Sequence, residues 1–270
     1  KAGEKHPELA GDVIRALSRG SMKEAAPAAL RRFAKHANPA ARAAAIAAMV
    51  EHLLQSGLQL NQQAFQRDFL HRMEIYHGER NNNLIEYTAA HVLRSLLADQ
   101  GYLDSKDALI HTALKAMYQV TQQHWHVEED ALATLDQLCR RGYRLGMISN
   151  AADDANVQAL VDKAHLRPYF EVIYSSAAVG IRKPNPRLFE LALRALATAP
   201  WRTAMVGDML GTDILGAQSV GMFAIWITRR AEESANQPYL STVHPNATIT
   251  TLRELPDLLD TLTREKGDAG

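Results

Sequence analysis

The sequence lacks the features that mark secreted, membrane-bound and nucleic-acid-binding proteins. It contains one cysteine, Cys139, in 270 residues, so no internal disulfide can form, which favours a reducing compartment. Its 30 basic residues balance its 30 acidic ones, so no charge excess attracts nucleic acid or an anionic membrane surface. No apolar run approaches the roughly 20 residues that span a bilayer, and the N-terminus lacks the apolar stretch of a secretion signal. We therefore expect a cytoplasmic protein without nucleic-acid or membrane partners, whose oligomeric state the sequence leaves open.

The chain has ample apolar material for a large core, since 47% of its residues are hydrophobic. Residues 22–125 have helical periodicity and almost no strand signal. The predicted helices of this part are 24–37, 40–56, 62–77, 84–100 and 106–124, with Gly57, Gly78 and Gly101 as stop signals.

Residues 126–270 alternate short β-branched runs with helical segments. The predicted strands are 143–149, 170–174, 203–207, 222–228 and 247–250. The predicted helices are 129–141, 153–164, 186–197, 212–219 and 252–264. This order is typical of an α/β fold with a parallel sheet. The polar stretch 229–245 is predicted to be a surface loop.

Ligands bind beyond the carboxyl ends of parallel strands, so the residues that follow each strand are the candidate site. Ser149 and Asn150 end the first predicted strand of this part, just before a helix begins near Asp153. A hydroxyl beside the unpaired N–H groups of a helix start favours a bound anion. The alternative is that Ser149 and Asn150 only cap the helix.

Lys183 follows the second predicted strand and precedes two prolines, Pro184 and Pro186. Proline at a first helical position fixes the entry of the chain, which would hold Lys183 in one place and suit it to phosphate. The alternative is an ordinary solvated lysine.

Asp208 comes directly after the third predicted strand, behind Gly207, and Asp213 follows five residues later. Hard carboxylate oxygens at a strand end are what Mg²⁺ requires, so both aspartates are candidate metal ligands. The alternative is a capped turn in which Asp213 begins the helix.

Taken in this order, the three stretches resemble the motifs of the haloacid dehalogenase superfamily, in its subfamily with a helical cap inserted early in the chain. Ser149 is similar to the second motif, Lys183 to the third, and Gly207-Asp208 with Asp213 to the fourth. The likeness extends through the joining sequence from about residue 128 to 260. It implies a Rossmann-like parallel sheet core (126–270), an all-helical cap domain (22–125) and an N-terminal segment (1–21).

The resemblance also implies a chemistry, in which an aspartate after the first strand attacks phosphorus to form an aspartyl-phosphate. Ser149 and Lys183 are then the catalytic candidates, and together with Asn150 they bind the phosphate. Asp208 and Asp213 hold Mg²⁺, and the substrate is a small phosphorylated metabolite. The Gly-Asp form of the fourth motif favours a phosphatase over a dehalogenase, because a dehalogenase needs no metal.

The first motif of the family, Asp-x-Asp after an apolar strand, occurs nowhere in the sequence. The run from Val13 to Leu17 resembles the first strand but continues into Ser18-Arg19-Gly20-Ser21-Met22, without a carboxylate. Three explanations are open: the motif lies upstream of Lys1, the segment is altered because Arg-Gly-Ser-Met resembles an artificial junction, or the protein has lost the chemistry. In the last case it is a non-catalytic phosphate-binding or partner-binding protein on the same scaffold.

Overall fold

The computed structural model describes residues 12–15 and 39–267. Within them, one strand is followed by a bundle of helices and then by the other strands of a parallel sheet, which further helices cover. This confirms the predicted fold class, a Rossmann-like α/β core with a helical cap. No helix among the described residues is long and apolar enough to cross a membrane.

The described part of the cap contains four helices that pack around one apolar cluster. They are α1 (Pro39–Gln55), α2 (Gln62–Asn83), α3 (Ala89–Asp99) and α4 (Asp107–Gln122). Four of the five predicted helices of this part are thus confirmed, and the fifth, 24–37, lies outside the described residues.

Of the three glycines predicted to end helices, two lie at helix ends and one does not. Gly57 and Gly101 adopt φ of +95° and +90°, which only glycine takes readily, so the chain turns there. The predicted end of α2 at Gly78 is wrong, since the helix runs through this glycine to Asn83. A glycine inside a helix costs only about 1 kcal/mol relative to alanine, which the packing of α2 outweighs.

The core is a six-stranded sheet of the described strands, in the order β3-β2-β1-β4-β5-β6, with every pair parallel. The strands are β1 (Asp12–Arg15), β2 (Arg144–Ser149), β3 (Val172–Ser175), β4 (Thr203–Gly207), β5 (Phe223–Ile227) and β6 (Ala247–Ile249). The five strands predicted after residue 126 are confirmed. The strand-like run from Val13 is confirmed as far as Arg15, and β1 lies at the centre of the sheet, whereas the rest of 1–21 lies outside the described residues.

Apolar side chains alternate between the two faces of the sheet. Leu145 and Met147 belong to one buried cluster, and Ile148, the next residue of β2, belongs to another. Each cluster is completed by helices. These helices are α5 (Ala131–Arg140), α6 (Asp154–Lys163), α7 (Ser176–Val179), α8 (Pro186–Ala195), α9 (Leu215–Ser219) and α10 (Leu255–Gly267). Burial on both faces explains why the strands read as continuous apolar runs.

The cap is fastened to the core by the segment between α2 and α3. Ile85 forms an antiparallel bridge with Ile181, which immediately precedes the Arg182-Lys183 pair. The buried carboxylate of Glu86 accepts a hydrogen bond of 2.7 Å from the Ser176 hydroxyl and lies 3.9 Å from Nε of Arg182. The cap returns to the core between the end of α4 at Gln122 and the start of α5 at Ala131, so the domain boundary at 125/126 stays a prediction that falls in this connection.

Candidate functional site

Three neighbouring strands end at one edge of the sheet, where Ser149 is the last residue of β2 and Asp208 follows β4. Arg15, the last residue of β1, is paired with Met147 of β2 and Val206 of β4. Ser149 and Asp208 lie two residues beyond those partners, at the ends of the two strands that pair with β1. The parallel register therefore brings the second and fourth motifs to the same edge.

The sequence that continues from β1 contains no carboxylate. Residues 16–22 read ALSRGSM, and they lie outside the residues that the structure describes. The absence of the nucleophile is therefore known from the sequence alone.

Ser149 and Asn150 do not serve as the cap of the following helix. Asp153 caps α6, because its Oδ1 accepts a hydrogen bond of 2.7 Å from the Asn156 N–H. The Asn150 side chain instead clamps the main chain of Lys183: its Nδ2 donates to the Lys183 carbonyl at 3.0 Å, and its Oδ1 accepts from the Lys183 N–H at 2.8 Å. Ser149 is buried at the strand end.

Lys183 is not a solvated lysine. Its side chain is 2% exposed, and Nζ lies 2.8 Å from Oδ1 of Asp213 and donates a hydrogen bond of 3.1 Å to the Ile148 carbonyl. The ammonium is thus fixed beside the end of β2. Pro186 begins α8 directly after this segment, as the two-proline pattern predicts.

Asp213 is fully enclosed, on a π-helical turn between β4 and α9. Its Oδ2 accepts a hydrogen bond of 3.1 Å from the Met209 N–H, while Oδ1 lies beside Lys183. Burial raises the pKa of the Asp213 carboxyl, and the charge of Lys183 opposes that rise. The residue before Asp208 must be glycine, since a Cβ on Gly207 would stand 2.3 Å from the Asp213 Cβ.

Asp208 is held by a cation from the loop after β5. Nη1 of Arg230 donates a hydrogen bond of 2.7 Å to Oδ2 of Asp208, whose side chain is 3% exposed. Burial disfavours the charge of Arg230, but the charge and hydrogen bond of Asp208 outweigh burial and raise the pKa of the guanidinium. The Asp208 carbonyl accepts hydrogen bonds from Nε1 of Trp226 and Nδ2 of Asn236, at 3.2 and 3.0 Å.

The prediction that 229–245 is a surface loop is therefore wrong for part of its length. Asn236 is wholly buried: besides holding Asp208, its Nδ2 donates to the Arg230 carbonyl at 3.1 Å, and its Oδ1 accepts from the Leu210 N–H at 2.8 Å. The polar composition of 229–245 gave no indication that Asn236 would be buried. The signal in the sequence was the position of Arg230 just beyond a strand end, where charged residues reach the candidate site.

A network of charges extends from Arg230 to the connection that leads back from the cap. Nη2 of Arg230 pairs with Oε1 of Glu128 at 2.7 Å, and Arg229 pairs with the other oxygen of Glu128 and with Asp130. Burial would raise the pKa of Asp130, but hydrogen bonds from Arg229 and the Leu252 N–H, together with the Arg229 charge, bring it below its ordinary value.

The described carboxylates fit Mg²⁺ to different degrees. Mg²⁺ is often bound by one or two carboxylates, with water and substrate phosphate oxygens completing its shell. Asp208 fits one such ligand, at a strand end and with its main chain fixed, although Arg230 contacts one of its oxygens. Asp213 fits less well, because Lys183 contacts its Oδ1 and the Met209 N–H donates to its Oδ2. No group of three or more His, Cys, Asp or Glu side chains that could hold a metal occurs among the described residues.

A sequence model of the haloacid dehalogenase-like hydrolase family matches residues 42–227. The chain is 40% identical to a phosphoserine phosphatase of Thermus thermophilus over 113 residues, which cover 41% of this chain and 45% of that protein. It is 39% identical to a glyceraldehyde 3-phosphate phosphatase of Methanothermobacter thermautotrophicus over 102 residues, which cover 38% of this chain and 45% of that protein. The chain thus spans less than half the length of these two relatives.

Solved structures of similar fold extend over nearly the whole chain. A 2-haloacid dehalogenase from Pseudomonas syringae superposes with a TM-score of 0.65 at 24% identity, covering 93% of this chain and 98% of that one. A HAD phosphatase from Thermococcus onnurineus superposes with a TM-score of 0.58 at 21% identity, covering 92% and 97%. At these identities the likeness establishes the fold.

Proposed function

The chain belongs to the haloacid dehalogenase-like hydrolase family, and on this basis we propose that its sheet edge is the phosphate site of a Mg²⁺-dependent phosphatase-like hydrolase. The observation that carries the proposal is the buried ammonium of Lys183, fixed between Asp213 and the Ile148 carbonyl at the end of β2. Burying a charged pair carries a desolvation penalty that the attraction of the two charges often does not offset, so the pair is poorly explained by stability alone. A lysine fixed in this way is suited to neutralise phosphate charge.

Ser149 and Lys183 are the proposed direct contacts to the phosphoryl oxygens. The Ser149 hydroxyl is a donor at the strand end, and Lys183 supplies positive charge beside it. Asn150, also predicted to bind phosphate, is proposed to act mainly by holding the Lys183 main chain, because both ends of its amide are hydrogen-bonded there.

For the metal we propose Asp208 as the direct carboxylate ligand. Bound Mg²⁺ would supply positive charge against the phosphate oxygens. Asp213 is proposed to set the position of Lys183, through the contact of 2.8 Å, and to pack against Gly207. Its predicted role as a second metal ligand stays a prediction.

The absence of a carboxylate from residues 16–22 favours a second candidate function. Without the nucleophile, the remaining groups only position and stabilise what it would attack, so this chain would bind phosphate without forming an aspartyl-phosphate. The second candidate is thus a non-catalytic phosphate-binding protein on the same scaffold.

The proposed ligand is a small phosphorylated metabolite. The two relatives described above carry the names of phosphatases of phosphoserine and of glyceraldehyde 3-phosphate, both of which are small phosphate monoesters. The balanced charge of the chain gives no reason to propose a nucleic-acid partner. A cytoplasmic location is part of the proposal and rests on the single cysteine.

The test separates binding from turnover. Inorganic phosphate is titrated by calorimetry into the full chain with Mg²⁺, and phosphate release is measured from a panel of phosphomonoesters with Mg²⁺ or with chelator. We expect Ser149→Ala and Lys183→Met to weaken phosphate binding at least tenfold. Lys115→Met, which removes an exposed lysine of α4, should have no effect.

Turnover is then examined in an aspartate scan through positions 16–19, which follow β1 in the sequence. If one variant gains chelator-sensitive phosphate release that Lys183→Met abolishes, the phosphatase site stands and this chain lacks only its nucleophile. If phosphate binds but no variant turns over, the binding protein is the better description. Phosphate binding that is unchanged in Ser149→Ala and Lys183→Met would overturn the site itself.

A further inference from the structure

The two aspartates of the candidate site each face a buried or half-buried cation. Asp213 faces Lys183, and Asp208 faces Arg230, whose side chain is 15% exposed. The sequence motifs account for the first pair but not for the second. Arg230 therefore needs a separate explanation, because it occupies an oxygen of the carboxylate proposed to bind the metal.

Arg230 is held in place from several sides. Nη1 contacts Oδ2 of Asp208 and Nη2 contacts Oε1 of Glu128, each at 2.7 Å, so the guanidinium bridges two carboxylates. Asn236 donates to the main-chain carbonyls of both Asp208 and Arg230, which ties the two residues together. The contact between Arg230 and Asp208 is thus fixed by the folded loop.

A guanidinium on Oδ2 of Asp208 disfavours Mg²⁺ at the same carboxylate. A carboxylate has enough lone pairs to accept a hydrogen bond and also bind a metal at about 2.0–2.1 Å, but two cations that close in a site of low dielectric repel each other. Metal binding at Asp208 is therefore stronger when Nη1 of Arg230 moves away.

We propose that Arg230 is a resident counter-cation of Asp208 that competes with Mg²⁺, and that Glu128 retains the guanidinium when the metal displaces it. Glu128 lies in the connection between α4 and α5, so the arginine remains paired with a carboxylate in both states. The competition lowers the affinity of the site for Mg²⁺. This inference rests on the proposed function, specifically on Asp208 as a metal ligand.

The test measures Mg²⁺ binding by calorimetry on the full chain, with and without inorganic phosphate, so it does not depend on turnover. Arg230→Met removes the competing charge and keeps much of the side-chain volume. We expect it to bind Mg²⁺ about tenfold more tightly than the wild type, which is a gain of about 1.4 kcal/mol. Arg253→Met removes the same charge from an exposed position after β6 and serves as the matched control, with no change expected.

Glu128→Gln provides an independent second variant. It removes the negative charge that attracts Arg230 to residue 128, so the guanidinium is held more strongly by Asp208 and Mg²⁺ should bind several-fold more weakly. Thermal unfolding of each variant with and without Mg²⁺ verifies folding and gives a second measure of metal affinity, because a ligand that binds only the folded state raises its melting temperature.

The possible failures are distinguishable. If Asp208→Asn abolishes Mg²⁺ binding but Arg230→Met binds no more tightly than the wild type, Asp208 is the metal ligand and the competition does not exist. If neither the wild type nor Arg230→Met binds Mg²⁺, even with phosphate present, the proposed metal site and the competition both fail. A gain in Arg253→Met equal to that in Arg230→Met would reduce the effect to general charge and would also refute the competition.

Discussion

Gly207→Ala tests whether the ion pair of Lys183 and Asp213 depends on the glycine of the fourth motif. A Cβ at this position would stand 2.3 Å from the Cβ of Asp213 and 2.5 Å from its Oδ2, closer than real Cβ contacts come. Asp213 would have to shift, and it is the buried partner of Lys183. The substitution of a single hydrogen by a methyl group should therefore disturb the whole site.

The expected cost follows from two effects. Overpacking a core costs typically about 1–3 kcal/mol, and separating a buried ion pair costs about 3–5 kcal/mol when one charge loses its partner. The two do not add fully, because the shift of Asp213 that weakens the ion pair also relieves the overlap. We expect a loss of about 4 kcal/mol, which for a domain of this size lowers the melting temperature by roughly 10 °C.

The assay is thermal and urea unfolding of the wild type, Gly207→Ala and the matched control Gly78→Ala. A Cβ on Gly78, inside α2, would meet nothing within 4 Å, so alanine there should stabilise the protein by about 0.5–1 kcal/mol through helix propensity. The two glycine-to-alanine changes thus have opposite expected signs. If Gly207→Ala melts at the wild-type temperature, the close packing of Asp213 against the strand does not hold the site together.

Two further substitutions test charged contacts away from the strand ends. Asp130→Asn should lower the free energy of unfolding at pH 7 by about 2 kcal/mol, because it weakens the hydrogen bonds from Arg229 and Leu252. Since the folded state lowers the Asp130 pKa below 3.8, this contribution is present above that value and disappears as the pH falls through the lowered pKa. Urea unfolding between pH 2.5 and 7 measures it. A stability difference between wild type and Asp130→Asn that grew on acidification would contradict a lowered Asp130 pKa. Glu86→Ala should lower the free energy of unfolding by about 3–5 kcal/mol, because it removes the buried carboxylate that joins cap to core beside Arg182 and Ser176. Glu86→Gln keeps an acceptor for Ser176 and should lower it less. Equal stabilities of the Ala and Gln variants in urea unfolding would show that neither the hydrogen bond to Ser176 nor the packing of the Glu86 side chain contributes.

The sequence was sufficient to predict the sheet because its strands are buried on both faces. Continuous runs such as the one that ends at Ser149 have no helical period, and helices with clear apolar faces separate them. The order of the strands and the position of β1 between β2 and β4 did not follow from any single run, since parallel pairing joins residues far apart in the sequence. For that arrangement, the family resemblance was the only guide.

Within the candidate site, local motifs predicted residues and missed their contacts. Gly207 before Asp208 was visible in the sequence, but the reason for the glycine, the approach of Asp213, appears only in three dimensions. Arg230 and Asn236 were missed because a polar segment between strands resembles any exposed loop. Their burial depends on the loop folding back over Asp208, and no spacing in the sequence encodes that fold.

The charges at the strand ends would make the binding of cation and anion depend on each other. Lys183 is paired with Asp213 and Arg230 with Asp208, so each carboxylate offsets part of the attraction of its cation for a phosphate dianion. Mg²⁺ on Asp208 would add two positive charges and move Arg230 toward Glu128, which would make the surroundings of Ser149 more positive. A phosphate there would in turn offset the repulsion between the metal and the guanidinium. By reciprocity each ligand would then raise the affinity for the other, so the proposed displacement of Arg230 predicts that Mg²⁺ and phosphate bind cooperatively.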